Sequence, residues 1–316
     1  MKRTSTGKIP KPACIVVAGP TASGKTGFAV QMAMALSGEI VNADAMQVYR
    51  GMDVGTAKPD EGEKRGIPHH LLDVVDPDEP FNAAIYRRLA LPVVEELSSR
   101  SIPCLVVGGT GLYIRSLLGG LMEAPPSDPH LRTQLHTEWD TFGPPKLHQR
   151  LTDLDPVYAR QVHPNDRVRI IRALEIIALT GRSPAMLMSQ HRFRDRSLRS
   201  LKLCLDMDRK TVYDRINQRS ELMVERGLVQ ETRALLDQGY SPDFKPMKAI
   251  GYRHMVRYLM GDWSLDEAVE KLKRDTRRYA KRQMTWLRKE ADMIWIAPDR
   301  MRLAIEKVRA FLNETT

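Results

Sequence analysis

Residues Gly19-Pro20-Thr21-Ala22-Ser23-Gly24-Lys25-Thr26 set two glycines, a lysine and a hydroxyl at the spacing G-x-x-x-x-G-K-[ST]. Glycines let the backbone curl around phosphate oxygens without Cβ contacts, and exposed N–H groups at a helix start favour an anion. Lys25 adds a mobile positive charge, and the Thr26 hydroxyl is placed to hold Mg²⁺. The pattern calls for a phosphate ester. It leaves open whether that ester is a nucleotide or another diphosphate, and kinases and NTPases are its usual owners.

Asp44 follows a short apolar run, at what should be the carboxyl end of a parallel strand. Ligands of open α/β sheets bind at that edge. A carboxylate there could take a proton or support Mg²⁺ through water. Arg215 and Arg219 are spaced i, i+4 and share one face of an expected helix, where planar guanidinium forks suit phosphate oxygens. A solvated pair is the other reading of Arg215. Two basic runs stand out: Arg167, Arg169 and Arg172 with Arg192, Arg194, Arg196 and Arg199, and then Lys271, Lys273, Arg274, Arg277, Arg278, Lys281 and Arg282. Such runs are usually solvated helix faces, but two of them in a protein that handles a polyanion read more plausibly as phosphate contacts. His69 and His70 lack partners at metal-site spacing and read as structural. Tyr279 and Trp286 read as packing residues.

These groups need a scaffold. Ala13–Ala18, Glu39–Asn42 and Pro103–Val107 read as buried strands alternating with helical periodicity, which predicts a parallel sheet with crossover helices. A helix over Phe28 to Leu36 should follow the phosphate loop. From about Leu121 to Ser200 only helices are expected, around Leu131–Trp139, Lys146–Leu151 and Arg167–Leu179, with Asp128 capping and Pro129 at the first helical position. Leu201–Leu205 and Ile294–Ile296 should return strands to the sheet, with helices over Tyr213–Gln238 and Leu265–Lys289. The expected fold class is therefore α/β, a P-loop-type parallel sheet core with flanking helices and a helical insertion. The expected parts are 1–120, the insertion 121–200, and 201–316.

The 316 residues suffice for one large domain or two modest ones, and no apolar run approaches a membrane span. The start, Met1 to Pro12, is basic and polar, and Ala13 to Ala18 is too short for a secretory signal core. Three dispersed cysteines, Cys14, Cys104 and Cys204, suggest neither a zinc site nor a disulfide framework, so a reducing cytoplasm is expected. The net charge of +10 raises the expectation of a polyanionic partner.

The phosphate loop, together with Asn42-Ala43-Asp44-Ala45-Met46-Gln47-Val48-Tyr49-Arg50-Gly51-Met52-Asp53-Val54-Gly55-Thr56-Ala57-Lys58-Pro59, resembles the tRNA dimethylallyltransferase (tRNA isopentenyltransferase) family of bacterial type. Matches continue through Pro68-His69-His70-Leu71-Leu72-Asp73, Gly108-Gly109-Thr110-Gly111-Leu112-Tyr113 and Asn165-Asp166-Arg167. They end with Arg172-Ala173-Leu174-Glu175, Lys248-Ala249-Ile250-Gly251-Tyr252 and Tyr279-Ala280-Lys281-Arg282-Gln283. Their order and spacing, more than any single motif, make the resemblance specific. One departure is Ala45, where the family usually has serine.

The resemblance implies transfer of a dimethylallyl group from dimethylallyl diphosphate to the N6 amine of the adenosine next to the anticodon, position 37 of the tRNA. It implies Asp44 as general base, with Lys25, Thr110 and Arg219 as catalytic partners. The diphosphate would lie on Gly19, Pro20, Thr21, Ala22, Ser23, Gly24, Lys25 and Thr26, with Arg215 and Arg219. The anticodon stem–loop would meet Asp44, Ala45, Met46, Gln47, Thr110, Arg132, Val168, Arg169, Ile170, Ile171 and Arg172. Mg²⁺ on Thr26, a monomer and no membrane contact complete the expectation. A small-molecule or nucleotide kinase would explain the loop and Asp44, but not the Arg-rich insertion or the later motifs. A nucleic-acid-binding module without catalysis fits poorly with an intact Lys25-Thr26 and Asp44.

Overall fold

A computed structural model describes residues 11–122, 124–191, 197–290 and 292–314. Met1 to Pro10 and the basic residues Arg192, Arg194 and Arg196 lie outside the described residues. The chain divides into two compact units, Met1–Leu118 with Ser197–Thr316, and Gly119–Arg196.

The first unit is the sheet. Its amino-terminal part runs β1 (Ala13–Ala18), α1 (Lys25–Leu36), β2 (Glu39–Asn42), α2 (Glu61–Lys64), β3 (His69–His70), α3 (Ala83–Ser99), β4 (Cys104–Gly108) and α4 (Gly111–Gly119). The second unit holds α5 (Pro129–Leu154), α6 (Pro156–Ala159), α7 (Arg167–Thr180) and α8 (Pro184–His191). The first unit then resumes with β5 (Arg199–Leu205), α9 (Arg209–Glu225), α10 (Leu228–Asp237), α11 (Tyr252–Leu259), α12 (Leu265–Leu287), β6 (Met293–Ile296) and α13 (Met301–Asn313).

All six strands pair in parallel, in the order β3-β2-β4-β1-β5-β6. The central strand β1 shows why its sequence is a continuous apolar run. Cys14, Val16 and Ala18 join the core on one face while Ile15 and Val17 join the core on the other. Burial on both faces is the rule for parallel strands covered by crossover helices. The three cysteines are free and buried.

The expected strands are present, with shifted ends. β5 begins at Arg199, so Arg199 and Ser200 belong to the sheet and not to the insertion. The helix after the phosphate loop begins at Lys25, three residues before Phe28. The helical stretch expected over Tyr213–Gln238 is formed by two helices, α9 and α10, separated at Gly227 with φ 100°. His69 and His70, read only as structural, form an edge strand beside Ile40 and Val41, and His70 Nε2 lies 2.7 Å from Glu39. The amphipathic α13, unforeseen, buries Ala304 and Val308 against the α1 side of the sheet.

Inside the second unit, Asp128 accepts a hydrogen bond from Leu131 N–H at 2.9 Å, capping α5 at Pro129 as the sequence suggested. A non-helical residue, Gly143, breaks α5 just before Pro144 and Pro145. The unit has its own core of Leu135, Trp139, Leu147, Leu151, Ile170, Ile171 and Leu174.

One close approach ties the sheet to its loops. A Cβ on Gly108, at the end of β4, would lie 2.2 Å from the Ala43 carbonyl oxygen. Only glycine lets β4 end this near the chain that leads into Asp44. Gly108→Ala should lower stability by about 1–3 kcal/mol through overpacking. Equilibrium urea unfolding measures this, and a mutant as stable as the parent would show that the strand ends tolerate separation.

Candidate functional site

The carboxyl ends of β1, β2 and β4 open onto a cavity of about 380 Å³. The loop after β1 supplies Thr21, Lys25 and Thr26 to its wall. Gly24 has φ 81° and Ala22 has φ 64°, so the loop needs two left-handed residues to turn into α1. Gly24 is the residue before α1, so the first helical N–H groups belong to this loop. Ser23 is buried with an unpartnered hydroxyl.

The loop after β2 brings Asp44, Ala45, Met46 and Gln47 to the same wall. Asn42 sets the turn. Its side chain accepts from Asp44 N–H at 3.0 Å and donates to the Leu71 carbonyl at 3.0 Å. Asp44 Oδ1 accepts from Met46 N–H at 2.8 Å, which orients the carboxylate. The loop after β4 closes the arrangement, because Thr110 Oγ1 accepts from Ala45 N–H at 3.0 Å. Thr110 thus holds the Asp44 turn through its backbone rather than lining the cavity. Ala45 in place of the family serine keeps this bond, since only its N–H takes part.

Two helices form the opposite wall. Ile216, Arg219, Ser220 and Met223 share one face of α9, and Leu272, Thr276, Tyr279 and Gln283 share one face of α12. Arg219 Nη1 donates to Thr21 Oγ1 at 3.1 Å, and Nη2 reaches the Thr56 carbonyl at 3.5 Å. Its Nε is buried without a partner. Gln283 bridges two loops: Thr21 N–H donates to its Oε1 at 2.9 Å, and its Nε2 donates to the Gly109 carbonyl at 3.0 Å. The sequence offered Gln283 only as part of a motif, and Tyr279 only as a packing residue. The helical spacing 272, 276, 279, 283 was the available signal for both.

The charges are unbalanced toward the positive. Burial pushes the Lys25 ammonium down from its usual value to about 8, against the favourable pull of Asp44 and with further opposition from Arg219. Burial likewise lowers Arg219, while Asp44 works the other way. Burial, then the Asp44 charge, raises the Tyr279 phenol. A buried cation with a free donor is costly unless an anion joins it. The hydroxyl of Thr26 and the carboxylate of Asp44 are hard oxygen donors on this wall, of the type that Mg²⁺ takes beside substrate phosphate. Among the described residues no cluster of three or more His, Cys, Asp or Glu forms a separate metal site.

The other sequence candidates divide sharply. Arg215 is exposed, and its guanidinium sits 3.7 Å from where a Cβ on Gly24 would be, at the outer rim of the loop. In the second unit, Arg132 and Arg172 both bind the buried Glu175 carboxylate, and Arg172 also donates to the Pro125 carbonyl at 2.7 Å. Ile170 and Ile171 are buried in that unit's core, so their side chains are not available to a nucleic acid. The motif groups residues 168–172 together, whereas a helix sends adjacent residues to different faces. Val168 is 78% exposed, and Arg169 is exposed beside Asp166. The basic run of α12 is partly internal: Lys273 pairs with Glu221 and Glu270, Arg274 with Asp275, and Arg277 donates to Asn217. Arg282 lies over the Tyr279 ring and lines the cavity. Trp286 packs against Gly111 and Arg115.

A half-buried lysine on a Gly-Lys-Thr loop at the head of a parallel sheet, faced by a half-buried arginine from α9, makes this a P-loop-type α/β protein whose cavity suits an anion. Residues 47–290 match the family model described as IPP transferase, and residues 12–76 match that described as isopentenyl transferase. A tRNA dimethylallyltransferase of Syntrophobacter fumaroxidans is 50% identical over 89% of this chain and 82% of its own. That of Geobacter sulfurreducens is 50% identical over 89% of this chain and 91% of its own. A solved tRNA isopentenylpyrophosphate transferase of Bacillus halodurans superposes with TM-score 0.72 at 40% identity, covering 96% of this chain and 98% of that one. A eukaryotic dimethylallyltransferase solved acting on tRNA gives TM-score 0.83 at 27% identity, over 96% of this chain and 80% of that one. The chain belongs to the tRNA dimethylallyltransferase family.

The lowered Lys25 makes a testable demand. A bound polyanion favours the ammonium, so binding raises the depressed pKa and takes up a proton once pH exceeds about 8. Calorimetry of inorganic diphosphate binding in buffers of different ionisation enthalpy should show this uptake. Lys25→Met should lack it and bind more weakly. Equal proton uptake in the two proteins would place Lys25 away from the anion.

Proposed function

We propose that the chain transfers the dimethylallyl group of dimethylallyl diphosphate to the N6 amine of the adenosine next to the anticodon of tRNA. The observation that carries this reading is the meeting, in one cavity, of two half-buried cations, Lys25 on the phosphate loop and Arg219 on the facing helix, with the Asp44 carboxylate. Lys25 and Arg219 suit a leaving diphosphate, and Asp44 suits the proton that the attacking amine must lose.

The N6 lone pair attacks the allylic carbon. The carbon–oxygen bond to the diphosphate breaks, and its electrons stay on the diphosphate oxygen. The N6 proton passes to the Asp44 carboxylate. Adenine N6 is a weak nucleophile because its lone pair is delocalised into the ring, so removing its proton during attack lowers the barrier. One Asp44 oxygen already accepts Met46 N–H, which leaves the other for the proton. Lys25 and the partnerless Arg219 Nε stabilise charge that grows on the leaving group. Mg²⁺ held by the Thr26 hydroxyl would neutralise phosphate charge.

The target base must leave its stack to reach the cavity, which costs least in a single-stranded loop. The exposed Arg169 and Val168 of α7 are the side chains of the 168–172 segment best placed to meet an anticodon stem–loop. Thr110 contributes by holding the Asp44 turn. This reading takes the enzyme as a monomer working in the cytoplasm, and among the described residues no helix is long and apolar enough to cross a membrane. A kinase would use the same loop and Asp44. It leaves unexplained a family match that runs to residue 290.

Asp44→Asn keeps the turn-forming acceptor but cannot take the proton. Single-turnover transfer to an anticodon stem–loop should fall by about 10² to 10⁴-fold, with both substrates still bound near wild-type affinity. Full activity, or rescue by added Mg²⁺, would remove Asp44 from the base role. Arg169→Ala should weaken tRNA binding and lower the log–log salt slope by roughly 0.7 to 0.9, with affinity for dimethylallyl diphosphate unchanged. An unaltered slope would leave Arg169 as a solvated side chain.

A further inference from the structure

Glu231, in the first turn of α10, lies outside the motifs that the sequence offered. Its carboxylate accepts three successive backbone N–H groups, from Asp53 at 2.9 Å, Val54 at 2.7 Å and Gly55 at 3.0 Å. The Tyr252 hydroxyl adds a fourth bond at 2.6 Å. The Tyr252 ring closes over Gly55, where a Cβ would sit 2.5 Å from the ring carbon Cζ. A carboxylate that collects this many donors fixes the geometry of what donates to it.

The segment so fixed is a wall of the cavity. Gly55, Thr56 and Ala57 line it. The Thr56 carbonyl accepts from Gln47 Nε2 at 3.3 Å and faces Arg219 Nη2 at 3.5 Å, while the Ala57 carbonyl accepts from Gln47 Nε2 at 3.0 Å. Arg219 in turn reaches the phosphate loop through Thr21. An unbroken series of polar contacts therefore runs from Glu231 through the 53–57 backbone to Arg219 and the loop.

We infer that Glu231 is a positioning residue for the transfer reaction, holding the 53–57 segment so that its Thr56 carbonyl aims the Arg219 guanidinium at the leaving diphosphate. Arg219 cannot swing away while this carbonyl and Thr21 hold its two terminal nitrogens. Without Glu231, three backbone donors lose their acceptor, the segment shifts, and Arg219 loses one of its two holds. The inference rests on the donor-binding role of Arg219 proposed above.

A double-mutant cycle with Arg219→Ala separates this role from simple stabilisation of α10. Glu231→Gln should lower kcat/KM for dimethylallyl diphosphate by roughly 10²-fold, the scale of a small misplacement at a reacting centre. In the Arg219→Ala background the same change should cost no more than about twofold, because the group it acts through is already gone. Glu231→Asp, which keeps the charge, should recover part of the loss and serves if the glutamine variant folds poorly. Thr232→Val removes a buried hydrogen bond to the Leu228 carbonyl on the same helix, and should lower Tm without the kinetic loss. Three results would overturn the role: wild-type kinetics in Glu231→Gln, an equal loss in both backgrounds, or the same kinetic loss in Thr232→Val. Binding of inorganic diphosphate to Arg219→Ala tests the underlying reading by itself. Intact affinity there would remove Arg219 from the donor site and overturn both claims, whereas lost affinity with a silent Glu231→Gln overturns only the second.

Discussion

The parallel pairing of β4 between β1 and β2 is the constraint on which the site depends. Parallel neighbours end on the same edge, so three loops distant in sequence emerge side by side. The phosphate loop leaves β1, the Asp44 turn leaves β2, and the Thr110 turn leaves β4. The near-contact of Gly108 with the Ala43 carbonyl and the Thr110 to Ala45 bond then fix the second and third loops against each other. Gln283 fixes the first to the third from above, through Thr21 and Gly109.

Electrostatics follows from that packing. Bringing Lys25, Arg219 and Asp44 into one partly enclosed cavity raises the cost of the two cations, and the single carboxylate offsets only part of it. That imbalance favours a polyanion in the cavity. The same carboxylate that moderates the cations is the one to which the proposed reaction assigns the proton. In the proposed reaction a diphosphate on the loop would satisfy the cations and leave Asp44 to act on the acceptor. On that proposal, binding and proton transfer are divided between loops that share a wall.

Much of this was legible in the sequence because it is local. The apolar runs gave the central strands nearly residue for residue, and glycine and lysine spacing marked the phosphate loop. The position of Asp44 at a strand end followed from the same pattern. What escaped is defined by partners far along the chain. Gln283 meets Thr21 across 262 positions, and Glu231 meets Val54 across 177, so no local pattern announces either. The bond that the Thr110 hydroxyl oxygen accepts from Ala45 N–H likewise crosses 65 positions, and no one-dimensional pattern reveals it. Ile170 and Ile171 were grouped with their neighbours by motif, while the helix that carries them turns both into the core. Arg172 beside them and Arg132 on α5 were legible as charge, but not as the partners of Glu175.

The central claim is that the phosphate loop holds the diphosphate of a prenyl donor as leaving group, and not a nucleotide as phosphoryl donor. Label transfer tests it most directly. The protein is incubated with bulk tRNA and either dimethylallyl diphosphate labelled in the prenyl group or ATP labelled in the terminal phosphate. Label should enter tRNA from the prenyl donor alone, with release of inorganic diphosphate in equal amount. Incorporation from ATP alone would contradict the account and return the chain to the kinases.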